Sequence, residues 1–209
     1  MSNITLFDYA RSSACYRVRI ALNLAGLSYD KVLVNLLKGE HRSEAHKERN
    51  PQGLVPVLAI DGMELTQSLA IIEYLNASRG LKLLPDENAL RAKVQALAHS
   101  LAIDVHPVCN LRVANHALEI SNGGDDTRIE WMQHFIRPGL LAFETLLAGL
   151  KPAPYAVGDQ PGLAEICLIP QLYNADRWGA AYHDCPNIRA IKTLCDAHPA
   201  FVDAQPDME

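Results

Sequence analysis

Val55-Pro56-Val57-Leu58-Ala59-Ile60-Asp61-Gly62-Met63-Glu64-Leu65 carries the strongest local fold signal in the chain. Val55 to Ile60 is strand-like, and Pro56, which has no N–H for a ladder, fits only at its start. Asp61-Gly62 is a dipeptide favoured in two-residue hairpin turns, where both residues need positive φ. Met63 to Leu65 is therefore expected to return as an antiparallel strand. Downstream, Leu69, Ile72, Tyr74 and Leu75 recur at helical spacing behind Gln67, with Ser68 as the expected N-cap. Upstream, Ile4 to Phe7 and Tyr29 to Val34 read as strands. Between them, Ser12-Ser13 precede a helical stretch, Tyr16 to Ala25, closed by Gly26. Glu40 to Arg49 reads as a short exposed helix stopped by Asn50-Pro51. The order β-α-β-α-β-β-α thus fills roughly the first 80 residues.

The rest of the chain changes character. Gly80 to Asn88 contains Pro85, and the domains are expected as 1–80 (α/β), 81–88 (linker) and 89–209 (all-α). No convincing strand run follows. Ala89 to Leu118 reads as one long helix disturbed at Pro107, and Thr127 to about Leu150 as a second. Glu165 to Trp178 and Ile188 to Ala197 read as two more.

Composition narrows the function classes. The chain has 209 residues, 49% hydrophobic and 21% charged, enough for a packed core. A net charge of -5 argues against a nucleic-acid partner. Cys15, Cys109, Cys167, Cys185 and Cys195 are odd in number and irregularly spaced, with no CxxC pair and no Cys/His cluster. Reduced thiols in the cytoplasm, and no metal, are therefore expected. The first eight residues lack a basic segment followed by an apolar one, so no signal peptide is expected. No apolar run is long enough to span a bilayer, so no membrane partner is expected either.

Several separated motifs agree in order and spacing. They are Arg11-Ser12-Ser13-Ala14-Cys15-Tyr16-Arg17-Val18-Arg19-Ile20-Ala21-Leu22, Asn50-Pro51 with Val55-Pro56, and Gln67-Ser68-Leu69-Ala70-Ile71-Ile72-Glu73-Tyr74-Leu75. Asp104-Val105-His106-Pro107 with Asn110-Leu111-Arg112, Pro170-Gln171 with Asn174 to Trp178, and Gln205-Pro206-Asp207 complete the set. Together they resemble the zeta-class glutathione S-transferases over nearly the whole chain. Within that class they are most similar to bacterial maleylacetoacetate isomerases, with maleylpyruvate isomerases close by. The resemblance implies a thioredoxin-like N-terminal domain, an all-helical C-terminal domain, glutathione as cofactor and a homodimer. It assigns Ser12, Ser13, Arg11 and Arg177 to catalysis. His41, Val55, Pro56, Gln67, Ser68, His106, Asn110 and Arg112, with both serines, would bind glutathione.

Those residue types suit that chemistry. A helix start presents unpaired N–H groups and the positive end of the dipole, which favour a thiolate. Lowering a thiol pKa by about two units takes roughly 2.7 kcal/mol, within reach of a hydroxyl and a helix end together. By alignment Ser12 is favoured over Ser13 as the thiolate partner. Val55-Pro56 resembles the cis-proline junction of thioredoxin-like folds, where the preceding backbone pairs with the glutathione peptide. Gln67-Ser68, before a helix, suit the γ-glutamyl carboxylate. Arg11, Arg112 and Arg177 suit a diacid, because guanidinium binds carboxylate bidentately. Arg17 and Arg19 read as structural or interface residues.

The implied activity is isomerisation of maleylacetoacetate to fumarylacetoacetate in tyrosine and phenylalanine catabolism. The glutathione thiolate adds to the cis double bond, the resulting single bond rotates, and elimination returns both molecules. Maleylpyruvate isomerisation and transfer to small α-haloacids are the near alternatives. The chain departs from the family pattern in three places. Ala14 stands where many members carry cysteine, which puts Cys15 about 100° further round the helix. Gly162 replaces a capping Ser/Thr before Leu163-Ala164-Glu165, and the helix is expected to survive. Leu111 replaces an arginine of some maleylpyruvate isomerases, which favours maleylacetoacetate. Two readings from other classes are a thiol oxidoreductase using Cys15 and a non-catalytic glutathione-transferase-like protein.

Overall fold

A computed structural model describes residues 4–206, which form two compact units. The first contains the described residues up to Lys82 and those from His198 onward; the second is Leu83–Ala197. Asp207 of the C-terminal motif lies outside the described residues.

The first unit runs β1 (Thr5–Asp8), α1 (Ser13–Leu24), β2 (Asp30–Leu33), a 3-10 turn (Glu40–Arg42) and α2 (Glu44–Arg49). It continues with β3 (Val57–Ile60), β4 (Met63–Thr66) and α3 (Ser68–Arg79). The sheet order is β2-β1-β3-β4, with β1 parallel to β2 and the other two pairs antiparallel. The thioredoxin-like expectation is therefore met. Asp61 (φ 52°) and Gly62 (φ 78°) both have positive φ between paired Ile60 and Met63, the geometry of a two-residue hairpin turn.

Local details differ from the sequence expectation. Helix α1 starts at Ser13 rather than Tyr16, because Ser12 caps it by accepting from the Cys15 N–H at 3.3 Å. The stretch Glu40 to Arg49 is split at Ser43, whose hydroxyl caps α2. Ser68 is not the N-cap of α3 but its first residue. Gln67 holds the cap position, with φ 66° and no side-chain cap bond.

Arg19 organises this unit from inside. Only 2% exposed, its Nη1 donates to both Asp8 oxygens at 2.7 and 3.0 Å. Nη2 donates to the Ala10 carbonyl at 2.9 Å and Nε to the Ala204 carbonyl at 2.8 Å. One side chain thus ties the end of β1, the turn after it and the C-terminal segment to α1.

The second unit is helical: α4 (Asn88–His99), α5 (Leu111–Ser121), α6 (Asp125–Ala148), α7 (Leu163–Trp178) and α8 (Pro186–Asp196). The long helix expected over Ala89 to Leu118, disturbed at Pro107, is observed as two helices with an irregular segment between them. It passes at Ser100–Val105 into a π turn, closed by the His106 N–H on the Leu101 carbonyl at 2.9 Å. Non-helical residues then lead to α5, which Asn110 caps by accepting from the Val113 N–H at 2.9 Å. Pro107, without an N–H, cannot carry the regular ladder through this point.

Gly162 has a cause beyond capping. The Glu165 carboxylate reaches back to the Gly162 N–H at 2.8 Å and also accepts from the Ala156 N–H at 2.7 Å. The Leu163 N–H donates to the Leu83 carbonyl at 2.9 Å, and a Cβ at position 162 would lie 2.7 Å from that oxygen. There is no room for a side chain, and α7 survives with Glu165 alone supplying the reciprocal half of a capping box.

A short helix, α9 (Pro199–Val202), is the last element of the described chain. The segment from His198 onward, expected in the helical domain, belongs with the first unit. The Asn23 amide donates to the Ala200 carbonyl at 3.0 Å, Phe201 is buried, and Arg19 holds Ala204. Among the described residues, no helix is long and apolar enough to cross a membrane.

Two variants test these constraints. Arg19→Met leaves the Asp8 charge buried and unpaired and should cost about 3–5 kcal/mol in chemical unfolding. Gly162→Ser supplies an intrinsically better cap, yet should destabilise by about 1–3 kcal/mol in the same measurement, because its Cβ meets a backbone oxygen.

Candidate active site

Strand direction alone collects the first group of site residues. β1 ends next to the start of β3, since Phe7 pairs with Val57, and Val57 pairs with Thr66 at the end of β4. Three chain segments meet this sheet edge: the turn from β1 to α1, Val55-Pro56 entering β3, and Gln67 entering α3. Helices α1 and α3 each follow a strand that ends there and each turn back along the sheet. Their N-termini therefore share one edge, and positive helix-end potential accumulates there.

Ser12 and Ser13 occupy the first of these termini. Ser12 Oγ accepts a backbone N–H as the cap of α1 and also meets the Cys15 thiol, a weak partner that a stronger acceptor for its O–H would displace. Ser13 is buried in the first helical turn. Arg11 is exposed, and its Nη2 donates to the Tyr9 hydroxyl at 3.1 Å. Cys15 faces the core with no exposed surface. Burial pushes its thiol pKa up, with the Asp8 charge adding to the effect. A neutral thiol in the core is a poor nucleophile, which counts against the oxidoreductase reading.

At the second terminus, Ser68 is buried and its Oγ accepts from Arg17 Nη1 at 3.1 Å. With a guanidinium filling an acceptor position, the Ser68 hydroxyl proton is turned toward other acceptors. Gln67 is held in its positive-φ conformation while Nε2 donates to Gln52 Oε1 at 2.7 Å. The Asn50 amide and a His46 ring nitrogen both meet the Leu54 carbonyl, at 2.8 and 2.9 Å, and stiffen the loop before Val55. The Val55–Pro56 peptide is cis. The His41 backbone approaches that loop, and its ring Nδ1 is buried without a hydrogen-bond partner. Burial first, then the Arg42 and His46 charges, lower the His41 pKa, so its ring is neutral at pH 7.

The other four expected site residues belong to the helical unit. His106 follows the π turn directly, and Asn110 is the N-cap of α5. Arg112 is exposed on the first turn of α5. Arg177 is exposed near the end of α7, its guanidinium 4.8 Å from the centre of the Trp178 ring.

The donor set at the sheet edge suits a ligand with a thiolate and a carboxylate, as glutathione has. The residue that sequence reasoning undervalued is Arg17. Its signal was present: it lies four positions after Ser13, on the same helical face, in a run whose other residues, Arg19 apart, are apolar. Among the described residues, no group of three or more His, Cys, Asp or Glu could hold a metal ion.

Comparison with known proteins places the chain in a family. Residues 2–77 match the family described as glutathione S-transferase, N-terminal domain. The chain is 51% identical to a maleylacetoacetate isomerase of Rhizobium meliloti (strain 1021), over 99% of this chain and 98% of that protein. Its structure resembles the holo structure of a maleyl pyruvate isomerase, a bacterial zeta-class glutathione S-transferase. The TM-score is 0.94 at 37% identity, over 98% of each chain. It also resembles a maleylacetoacetate isomerase from Anaeromyxobacter dehalogenans 2CP-1 with bound GSH in the active site. There the TM-score is 0.87 at 38% identity, over 99% of this chain and 96% of that one.

The cysteines provide a direct check on the site. All five are buried, and burial pushes the Cys109 pKa up to about 12. A chromogenic disulfide reagent at pH 8 should label the native chain slowly and all five thiols once it is unfolded. Rapid labelling of Cys15 in the native chain would restore the oxidoreductase reading.

Proposed function

The chain belongs to the zeta-class glutathione S-transferase family, and on that premise we propose that it is a glutathione-dependent cis–trans isomerase of maleylacetoacetate. The observation that carries the reading is the sheet edge where two serine-bearing helix N-termini meet. When bound, glutathione supplies a nucleophilic sulfur for reversible addition to a conjugated cis double bond.

The chain's own residues have separable tasks in this reading. Ser12 donates its hydroxyl proton to the sulfur, and the N-terminus of α1 adds its dipole, so the anionic form is favoured near neutral pH. Ser68, polarised by Arg17, and the backbone N–H groups of α3 hold the γ-glutamyl carboxylate. The Val55 backbone pairs with the peptide of the cofactor, and His41, Gln67, His106, Asn110 and Arg112 complete its binding. Arg11 and Arg177 hold the substrate carboxylates and offset the negative charge that develops on the substrate during addition. Ser13 supports the α1 terminus from its buried position.

Maleylacetoacetate is favoured over maleylpyruvate by the 51% identity to an enzyme named for the former and by Leu111, an apolar residue where some maleylpyruvate isomerases carry arginine. The structural likeness to a maleyl pyruvate isomerase keeps that substrate as the second reading. A cytoplasmic homodimer acting in tyrosine and phenylalanine breakdown belongs to the same proposal.

The test follows isomerisation of each diacid with and without glutathione. Turnover should require glutathione and favour maleylacetoacetate. Ser12→Asn retains a good cap but lacks the hydroxyl. It should keep its melting temperature, raise the pKa of the pH–rate profile by about one to two units and lower turnover at pH 7 about 10- to 100-fold. Ser12→Ala should lose the same activity and in addition about 1 kcal/mol of stability. Glutathione binding without turnover of either diacid would reject the isomerase.

A further inference from the structure

We infer that helix α6 is the template that places His106 and Asn110, and that Gly139 and Trp131 are positioning residues for glutathione binding. This rests on the reading above, in which His106 and Asn110 touch glutathione, and adds two residues to it.

The argument starts from the segment that carries those two residues. Leu101 to Asn110 is not regular α-helix: it passes through the π turn and a run of non-helical residues before α5 begins. Where the segment leaves the helix, the His106 N–H donates to the Leu101 carbonyl and the Cys109 N–H to the Val105 carbonyl at 3.1 Å. A π turn is a costly local choice that persists only where its surroundings favour it. Its direction must therefore be set by whatever packs against it, and α6 does so at two points.

The first point is steric. A Cβ on Gly139 would lie 2.3 Å from Val105 Cγ2, closer than any real contact allows. Val105 is buried and β-branched, so its side chain has little rotamer freedom to give way. Gly139 follows Pro138 within α6, and a helix-interior Pro-Gly pair costs helix stability wherever tertiary structure does not require it. Here the close approach of Val105, the residue just before His106, supplies the requirement.

The second point is a hydrogen bond. Trp131, two turns earlier on α6, donates its indole N–H to the Val108 carbonyl at 3.1 Å. Val108 lies between His106 and Asn110. The two α6 contacts thus bracket His106, and the second holds the chain just before Asn110. A shift of either would carry the two side chains with it, and misplacement of about 1 Å is enough to cost about 100-fold in a well-aligned site.

The experiment compares the full-length wild-type chain with Gly139→Ala, Val105→Ala, the Gly139→Ala/Val105→Ala double variant and Trp131→Phe. Glutathione affinity is measured by calorimetry, and kcat and KM in the isomerase assay, well below each melting temperature. Gly139→Ala and Trp131→Phe should keep the helical circular dichroism of the wild type. Each should raise Kd and KM for glutathione about tenfold with kcat changed less than about threefold. Val105→Ala should restore most of the affinity lost in Gly139→Ala, a strong non-additivity. A purely structural glycine would lower the melting temperature without this split between KM and kcat. If Gly139→Ala fails to fold, Trp131→Phe decides the question by the same split. Wild-type affinity in the folded variants, or additive losses in the double variant, would overturn the inference and leave the proposed function standing. A wild-type chain that does not bind glutathione would overturn both.

Discussion

Arg19 and Asp8 form the contact on which the first unit depends. Burying two charges is unfavourable by itself, and a buried pair persists only when geometry and further hydrogen bonds compensate. Here the compensation is thorough: two contacts to the Asp8 carboxylate and one to each of two backbone carbonyls. The consequence reaches the site, because Asp8 precedes and Ala10 lies within the turn, closed by the Ser12 N–H on the Tyr9 carbonyl, that delivers Ser12. A guanidinium in the core thus sets where a hydroxyl sits at the sheet edge. The same side chain anchors the C-terminal segment, which explains why residues distant in sequence join one compact unit.

The sheet edge concentrates positive potential with few cations. Helices α1 and α3 contribute their N-terminal dipoles, and the buried Arg17 lies behind Ser68 rather than in solvent. A charge placed there is less screened than a surface charge, and it acts through a hydroxyl that has only one proton to direct. Ser12 follows a parallel logic. By accepting the Cys15 N–H it serves the helix. Capping uses the oxygen of this hydroxyl and donation would use its proton, so the two roles do not exclude one another.

The helical unit tolerates several local irregularities because each is matched by a neighbour. The π turn meets a glycine on α6, and the Val108 carbonyl meets the Trp131 indole. At the start of α7, a missing side chain at Gly162 makes room for the Leu83 carbonyl while Glu165 supplies the hydrogen bonds a serine would have offered. Burial raises the Glu165 pKa and the backbone donors oppose that shift. Such a carboxyl group specifies the register of the helix start more than it adds stability.

Local signals were legible in the chain wherever a residue type has one dominant physical use. Asp61-Gly62 specified the hairpin, because few other pairs accept positive φ twice. Helical periodicity located α6, α7 and α8 within a few residues of their observed bounds. Other features needed three dimensions. The disturbance expected at Pro107 takes the form of α4, a π turn and α5, and the neighbour against which Val105 lies is more than thirty positions away, at Gly139. The N-cap position expected at Ser68 is taken by Gln67, whose φ of 66° turns the chain from β4 into α3. Arg17 and Arg19 look alike in sequence, two cations in an apolar run; only the fold sends one to Ser68 and the other to Asp8. Sequence determines what each residue is able to bond. Packing decides which partner comes within 3 Å, because a hydrogen bond or ion pair contributes only at contact distance.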